Sequence, residues 1–298
     1  MAIVTRLGAA SLGVFAGREA VAVGLNRKQL TLFIERGLLV RDFPDTYRMA
    51  AVPTSNEQRI RSALCWAGDD AAAAGRSAGE LFRVEGIIAP LPEIVVPRSS
   101  RPRAAGVIVH QSDDRAALMV REVRGVRATG IETTLVSLAY SLDAEALEVA
   151  CEDARRRRLT SVPALNAYLT RFARPGKRGT VAMRRLLDAL DPRHPSLSTL
   201  EVKTRRLLVA NGFTEFRREL PLEWNGRIYR FDFAFERART ILETNGRRWH
   251  DDATDFERNN EKWSVPGRHG YRIVMATWDK VSRHPREFLQ ELAATFAA

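Results

Sequence analysis

The segment 229–250 constrains the fold most strongly, because its residue pattern predicts a β-hairpin. A polar, turn-like run at 236–239 separates two runs of β-prone residues, the second of which covers 240–244. In the first run aromatic side chains recur at every second position, the pattern of a strand with one buried face. These aromatic residues are Tyr229, Phe231, Phe233 and Phe235.

Folding the two runs about the middle of the turn places Asp232 opposite Glu243, on the face away from the aromatic side chains. Directly opposed residues have Cβ atoms roughly 4.5–5.5 Å apart, and like charges there destabilise a sheet. Mg²⁺, or Mn²⁺ in its place, would relieve the repulsion, because carboxylates, waters and phosphate oxygens hold such hard cations. The spacing therefore predicts a metal site at Asp232 and Glu243, with two solvated acids as the alternative.

Length and charge indicate several domains and a polyanionic partner. The 298 residues suit two or three domains, and a hydrophobic content of 45% is enough for real cores. The formal net charge is +11, which favours a polyanion such as DNA. Basic residues are dense between 155 and 185, a tract that suits a phosphate backbone or, equally, a solvated helix face.

Other classes of protein are disfavoured by the sequence. No run of about 18 apolar residues is present, and residues 1–17 lack the charged start and apolar run of a signal peptide. The two cysteines support neither a disulfide framework nor a zinc site. We therefore expect a cytoplasmic protein with no membrane partner.

Residues 1–55 predict a winged helix-turn-helix. Gly24 can end a first helix and Asn26 can cap a second, and the runs 38–41 and 46–49 form a two-stranded wing. This pattern resembles the N-terminal domain of AbiE-type antitoxins from toxin–antitoxin systems. The resemblance implies that the second helix enters the major groove of DNA, although winged helices also bind proteins. The DNA-contacting residues would be Asn26, Arg27, Lys28, Gln29, Arg41 and Arg48.

The segment 56–172 predicts a mixed region of two helices, three short strands and a long helix at about 132–158. Its part from 126 to 139 also looks like the segment after the wing in AbiE-type antitoxins. This middle segment would hold the wing to the C-terminal domain, bind a toxin or a second copy of the chain, or add DNA contacts. The breaker-rich stretch 173–197 predicts a hinge.

Residues 198–298 form the domain in which we place the chemistry. Ser198 and Glu201 have the spacing of a helix capping box, so Glu201 is a cap, a third carboxylate beside the opposed pair, or both. An acid on a helix, followed by Asp and Glu on paired strands, resembles the PD-(D/E)XK nuclease core. Within that superfamily, the segments 241–250 and 270–278 are similar to very-short-patch-repair (Vsr) endonucleases.

This resemblance implies a restriction-endonuclease-like domain and a Mg²⁺-dependent DNA endonuclease. Two departures stand out: Asn245 replaces the usual lysine, and the Vsr enzymes have no acid at the position of Glu243. His250 is the replacement we expect for the proton transfer, because imidazole titrates near neutrality. The implied catalytic residues are Glu201, Asp232, Glu243, Asn245 and His250, and Arg258 would contact phosphate.

The sequence as a whole thus predicts an α/β protein, α+β overall. It would combine a winged helix-turn-helix, a mixed middle segment and a restriction-endonuclease-like C-terminal domain. The alternative function is that of an antitoxin-like transcriptional regulator whose nuclease-like domain is inactive, with Asn245 as the lesion.

Overall fold

The protein is described here by a computed structural model that covers residues 6–9, 11–100, 102–174, 176–190, 198–245 and 253–297, without the side chains of 245 and 253–260. It divides into two compact units, residues 1–190 and 191–298. Both units combine helices with sheets, so the predicted α/β class is confirmed. Within the described residues, no helix has the length and apolar character needed to span a membrane.

The first unit begins with the predicted helix-turn-helix and wing. Helices α1 (Gly17–Ala22) and α2 (Arg27–Glu35) precede strands β2 (Leu39–Phe43) and β3 (Thr46–Met49). Strand β1 (Val14–Ala16), which the sequence analysis did not predict, pairs with β3 and completes an antiparallel sheet of order β1-β3-β2. The core beneath it contains the buried side chains of Phe15, Leu30, Leu39 and Tyr47.

The wing packs directly on the segment that follows it. Helix α3 (Asn56–Ala67) carries Trp66, whose ring stacks on Phe43 at 5.1 Å between centroids. The amide of Gln58 also donates a hydrogen bond of 2.7 Å to the carbonyl of Leu12. Residues 1–55 and the middle segment therefore belong to one unit, without a domain boundary at residue 55.

A five-stranded mixed sheet of order β6-β5-β4-β8-β7 forms the middle of the first unit. Two short helices, α4 (Gly75–Leu81) and α5 (Arg115–Leu118), accompany it. Residues Ile94 and Ala73 lie at its buried centre. The strands are β4 (Ala72–Ala73), β5 (Glu93–Val96), β6 (Ile108–Gln111), β7 (Arg121–Val123) and β8 (Val126–Ala128).

Four helices then share one apolar core: α6 (Ile131–Ser141), α7 (Ala144–Arg156), α8 (Val162–Phe172) and α9 (Thr180–Ala189). The single helix predicted over 132–158 is wrong. Asp143 caps a new helix by accepting a 2.8 Å hydrogen bond from the N–H of Ala146, which ends α6 and starts α7.

Helix α9 lies inside the stretch for which a hinge is predicted. Its residues Met183, Leu186 and Leu187 are buried in the core of the first unit. Because these apolar side chains recur at helical spacing, the breakers of 173–179 mark only a loop between α8 and α9. The predicted hinge is thereby corrected over 180–189.

The second unit is a four-stranded sheet of order β12-β11-β10-β9 with helices on both faces. Strand β10 pairs antiparallel with β9 and β11, whereas β12 is parallel to β11. The strands are β9 (Arg217–Trp224), β10 (Arg227–Phe235), β11 (Thr240–Asn245) and β12 (Arg272–Thr277). The helices are α10 (Thr199–Ala210), α11 (Ala253–Arg268), α12 (Trp278–Arg283) and α13 (Pro285–Ala297).

The predicted hairpin is present, but its aromatic residues do not share one face. Phe233 and Phe235 lie in the core that includes residues of α10 and α13, whereas Phe231 lies in the core that includes Val265 of α11. The prediction of a single aromatic face is therefore wrong at Phe231.

Two glycines of the α8–α9 loop allow a test of how firmly this loop is held. Gly176 and Gly179 both have positive φ, but only Gly179 is crowded: a Cβ there would lie 2.0 Å from the carbonyl oxygen of Val136. We expect Gly179→Ala to lower the free energy of unfolding by about 1–3 kcal/mol more than Gly176→Ala, measured by urea unfolding of the full chain. Equal losses of unfolding free energy in the two variants would show that the loop rearranges to accommodate a side chain at Gly179 without cost.

Candidate functional site

The opposed carboxylates lie at the end of the β10–β11 ladder. The register of the ladder ends with Phe233 opposite Leu242, and Asp232 and Glu243 are the next residues of the two strands. The backbone N–H of Asp232 donates a 3.2 Å hydrogen bond to Oε2 of Glu243. Asp232 is 8% exposed and Glu243 is 6% exposed, so both acids are buried, and they lie next to each other.

Thr244 fixes the position of the Asp232 carboxylate. Oδ2 of Asp232 accepts a 2.8 Å hydrogen bond from the backbone N–H of Thr244 and a second one from its hydroxyl. The sequence at 243–244 therefore supplies both the second acid and the donors that orient the first.

A lysine that the sequence analysis did not single out completes the site. The ammonium of Lys262, on helix α11, forms an ion pair with Oε1 of Glu243. Its Nζ also lies 5.2 Å from the ring centroid of Phe231, on the same side of the sheet as α11. Lys262 follows Glu243 by 19 residues, so no short motif links them and only the docking of α11 reveals the pair.

Two acids of the site, Glu243 and Glu219, have raised pKa values. Burial first, and then the charge of Asp232, raise the pKa of Glu243 to about 7, while Lys262 acts in the opposite direction. Glu219, across from Asp232 on β9, also has a raised pKa because of its burial and the charge of Asp232. Arg218, Arg230 and Lys262 act against the increase at Glu219, and Glu243 keeps a raised pKa although Lys262 is paired with it.

Glu201 is buried and paired with an arginine. Its backbone N–H donates a 3.1 Å hydrogen bond to Oγ of Ser198, which confirms the predicted cap of α10. Its carboxylate accepts a 2.7 Å hydrogen bond from Arg218 of β9, whose side chain is 9% exposed. Since Arg218 pairs with Phe233 in the sheet, this ion pair connects the helix to the neighbour of Asp232.

For the remaining predicted site residues, the structure describes the backbone alone or nothing. Asn245 ends β11 opposite Thr277 of β12, but its side chain lies outside the described residues. His250 and the side chain of Arg258 also lie outside them. Among the described residues, no group of three or more histidine, cysteine or acidic side chains is arranged to hold a metal.

The predicted DNA-contacting residues of the wing divide into two groups. Arg27, Lys28 and Arg41 are exposed, although Arg27 lies 3.5 Å from a carboxylate oxygen of Asp45. Arg48 is instead engaged internally: it forms a 3.0 Å ion pair with Asp42, and its side chain is only 20% exposed. The prediction that Arg48 contacts phosphate is therefore corrected, because its charge is used inside the wing.

Asn26 and Gln29 are also engaged, in a reciprocal capping box. Oδ1 of Asn26 accepts the N–H of Gln29, and Oε1 of Gln29 accepts the N–H of Asn26, both at 2.9 Å. A base contact through either oxygen would break the cap of α2. The exposed cations Arg27 and Lys28 therefore remain the better candidates for DNA contact at this helix.

The first part of the basic tract is neutralised within the protein. Arg155 is buried and pairs with Glu152 at 2.8 Å. Arg156 and Arg157 pair with Asp153 at 2.9 and 3.1 Å. These arginines stabilise the end of α7, so the prediction of one continuous phosphate-binding tract from 155 is corrected.

Comparison with known proteins gives relatives but no function. No protein-family model matches the chain. Two uncharacterised Mycobacterium tuberculosis proteins, MT2308 of strain CDC 1551 and Rv2248 of strain H37Rv, are 26% identical to it over 271 residues, covering 90% of the chain and 96% of each relative. The crystal structure of the RV2827C protein from Mycobacterium tuberculosis matches with a TM-score of 0.45 and 17% identity, over 76% of this chain and 90% of that one.

The raised pKa of Glu243 predicts how stability varies with pH. Between 4.5, its ordinary value, and about 7, the folded state binds more protons at this site than the unfolded state. Its contribution to the free energy of unfolding therefore falls as the pH rises through this window. We expect Glu243→Gln to gain on the order of 3 kcal/mol relative to the wild type from about pH 4.5 to 7.

The measurement is urea unfolding of both proteins at a series of pH values. The matched control is Glu236→Gln, which removes an exposed acid of the same unit. A difference between Glu243→Gln and wild type that stays constant across the window would show that the burial of Glu243 has no energetic consequence.

Proposed function

We propose that the second unit is a metal-dependent phosphodiester hydrolase that cleaves DNA, and that the wing of the first unit docks on the DNA. The observation that carries the proposal is the buried, opposed pair Asp232 and Glu243 with Lys262 beside it. The resemblance of residues 198–298 to PD-(D/E)XK and Vsr-like nucleases supports it. In that superfamily an acid pair on adjacent strands and a lysine form the reactive centre.

The residues present fit a hard divalent cation. Carboxylate oxygens are the ligands that Mg²⁺ and Mn²⁺ prefer. The raised pKa of Glu243 shows that negative charge at this position lacks full compensation, which a cation would provide. Asp232 and Glu243 would hold the ion, and the ion would supply a Lewis acid and lower the pKa of a bound water.

The chain's own residues would position and neutralise the reacting groups. Thr244 holds Asp232 in one orientation, so this ligand needs little rearrangement. Lys262 supplies the ammonium that Asn245 cannot, and a cation at this point would stabilise charge that develops on a phosphate. His250 remains the proposed proton shuttle, and Arg258 a proposed phosphate contact.

Docking is assigned to the exposed cations of the wing. Arg27 and Lys28 stand at the start of α2, the end of a recognition helix that meets base edges in a helix-turn-helix complex. Arg41 is exposed on the wing strand β2 and would contact the phosphate backbone of the DNA. We further propose that the protein acts in the cytoplasm, with Mg²⁺ as its ion.

A second candidate is an antitoxin-like transcriptional regulator with an inactive nuclease-like unit. One observation favours it: Glu243 is already paired with Lys262 and Glu201 with Arg218, so these two buried acids have partners without any metal. In this case the middle segment would bind a toxin or a second copy of the chain. Such a regulator would bind DNA in the absence of divalent cations.

Plasmid cleavage separates the two candidates. We expect the wild type to cleave supercoiled plasmid only with Mg²⁺ or Mn²⁺, and Asp232→Asn to lower the rate at least about 100-fold. Asparagine keeps an oxygen for the N–H of Thr244, so the variant should fold. Duplex binding by both proteins together with metal-independent melting and no cleavage would instead identify the regulator.

The role of Lys262 has its own test. Lys262→Met removes the ammonium while keeping an unbranched side chain, and it should lower the rate of cleavage at least about tenfold. The matched control is Lys280→Met, which removes a lysine of the same unit that pairs with Glu291 at 2.6 Å. Equal rates for the two variants in the plasmid assay would remove Lys262 from the proposed mechanism.

A further inference from the structure

A basic segment in the first unit contains six cations and no acid. It spans 171–185, from the last turn of α8 through the loop into α9. Five of these side chains belong to exposed residues, and only that of Lys177 is half-buried. The cations of the basic segment are Arg171, Arg174, Lys177, Arg178, Arg184 and Arg185.

Their charge is uncompensated, unlike that of the arginines at the end of α7. Across the described part of the chain, no carboxylate lies within ion-pair distance of any of the six. Arg156 and Arg157, by contrast, each pair with Asp153. The structure thus divides the basic tract of the sequence into a neutralised part and a part that presents net charge to the solvent.

The loop that carries these charges is held in place. Nζ of Lys177 donates hydrogen bonds of 3.2 Å to the hydroxyl of Tyr168 and to the carbonyl of Phe172. The hydroxyl of Tyr168 in turn donates a 3.0 Å hydrogen bond to the carbonyl of Ala117. The crowding of Gly179 adds a direct backbone contact with α6. A loop fixed in this way offers its cations without a large cost in conformational entropy.

Aromatic rings accompany the cations. The guanidinium of Arg178 lies 4.7 Å from the ring centroid of Tyr140, whose side chain is 60% exposed. Arg171 lies 5.0 Å from the ring centroid of Phe172. Stacking on a ring orients the planar guanidinium, and a guanidinium so oriented can donate two parallel hydrogen bonds to phosphate oxygens.

We propose that the basic segment binds the phosphate backbone of duplex DNA as a second contact, in addition to the wing. Fixed, uncompensated arginines are the groups that release counterions when they meet phosphates. This proposal concerns binding by the first unit alone. It holds whether or not the second unit is catalytic, so its failure and that of the nuclease proposal are distinguishable.

The test measures DNA affinity of the full chain by fluorescence anisotropy, without divalent cations, on a labelled duplex of about 30 base pairs. The test variant carries Arg178→Ala, Arg184→Ala and Arg185→Ala. The control variant carries Arg217→Ala, Arg237→Ala and Arg283→Ala, which remove exposed arginines that are paired with acids in the second unit. Both variants lower the formal net charge from +11 by three, to +8.

We expect the test variant to lower the magnitude of the slope of log K against log salt by about 2–3, because each lost phosphate contact removes about 0.9. Its affinity near physiological salt should fall at least about tenfold, and the control variant should change the slope by less than about 1. Replacing the same three arginines by lysine should keep most of the slope. This lysine variant shows that charge, and not a change of fold, is responsible.

Equal slopes for the test and control variants would overturn the proposal, because net charge alone would then explain the binding. It would also be overturned if the test variant kept its DNA affinity but lost binding to phosphatidylserine vesicles, which would make an anionic membrane the occupant. If the triple variant melts below the assay temperature, Arg184→Ala with Arg185→Ala takes its place, with an expected slope change of about 1–2.

Discussion

Two carboxylates of like charge face each other across the β10–β11 hairpin, and the second unit is built around keeping them there. Burial makes ionisation of Glu243 difficult, and Asp232 adds to the difficulty. The sheet tolerates this because Thr244 donates to Asp232 and Lys262 pairs with Glu243. A pair that served stability alone would gain from replacement by apolar residues. The arrangement is the kind of compromise that functional sites show.

The first unit uses its charges in a different way. Within α7 and the wing, arginines neutralise acids close to them, as Arg155 does with Glu152 and Arg48 with Asp42. Five of the six cations of the basic segment, and Lys28 at the start of α2, belong to exposed residues. A surface of this kind attracts polyanions over a distance comparable to the Debye length, roughly 8–10 Å at physiological salt. Within the first unit, some arginines thus form ion pairs with nearby acids, and others present net positive charge to the solvent.

The sequence predicted those features that depend on interactions between residues close together in the chain. The helix-turn-helix, the cap at Asn26, the hairpin and the opposition of Asp232 and Glu243 follow from turn chemistry, capping and strand register, all of which act over short stretches. The partner of Glu243 could not be predicted in this way, because Lys262 reaches it only after α11 packs on the sheet. The partner of Glu201 is likewise set by the tertiary fold, through β9.

Errors arose where a pattern had two physical solutions. A run of arginines suits phosphate or nearby acids, and only the fold places Asp153 beside Arg156 and Arg157. Alternating aromatics suggest one face, but Phe231 and Phe233 pack in different cores, on helices that the local pattern does not specify. The AbiE-type, PD-(D/E)XK and Vsr-like resemblances, and the functions they imply, stay predictions.

The ion pair between Lys262 and Glu243 would make the proposed binding of a metal ion at this site an exchange of one cation for another. A divalent ion that takes the Glu243 carboxylate as a ligand must compete with an ammonium already there. The observed free energy of metal binding would then equal the intrinsic free energy of binding minus the free energy needed to separate Lys262 from Glu243. The apparent affinity for the metal would therefore be lower than the intrinsic one. Under this proposal, the ammonium of Lys262 would leave Glu243 only when the ion binds. Occupancy by the metal and availability of the lysine would therefore be a single event, coupled through one carboxylate.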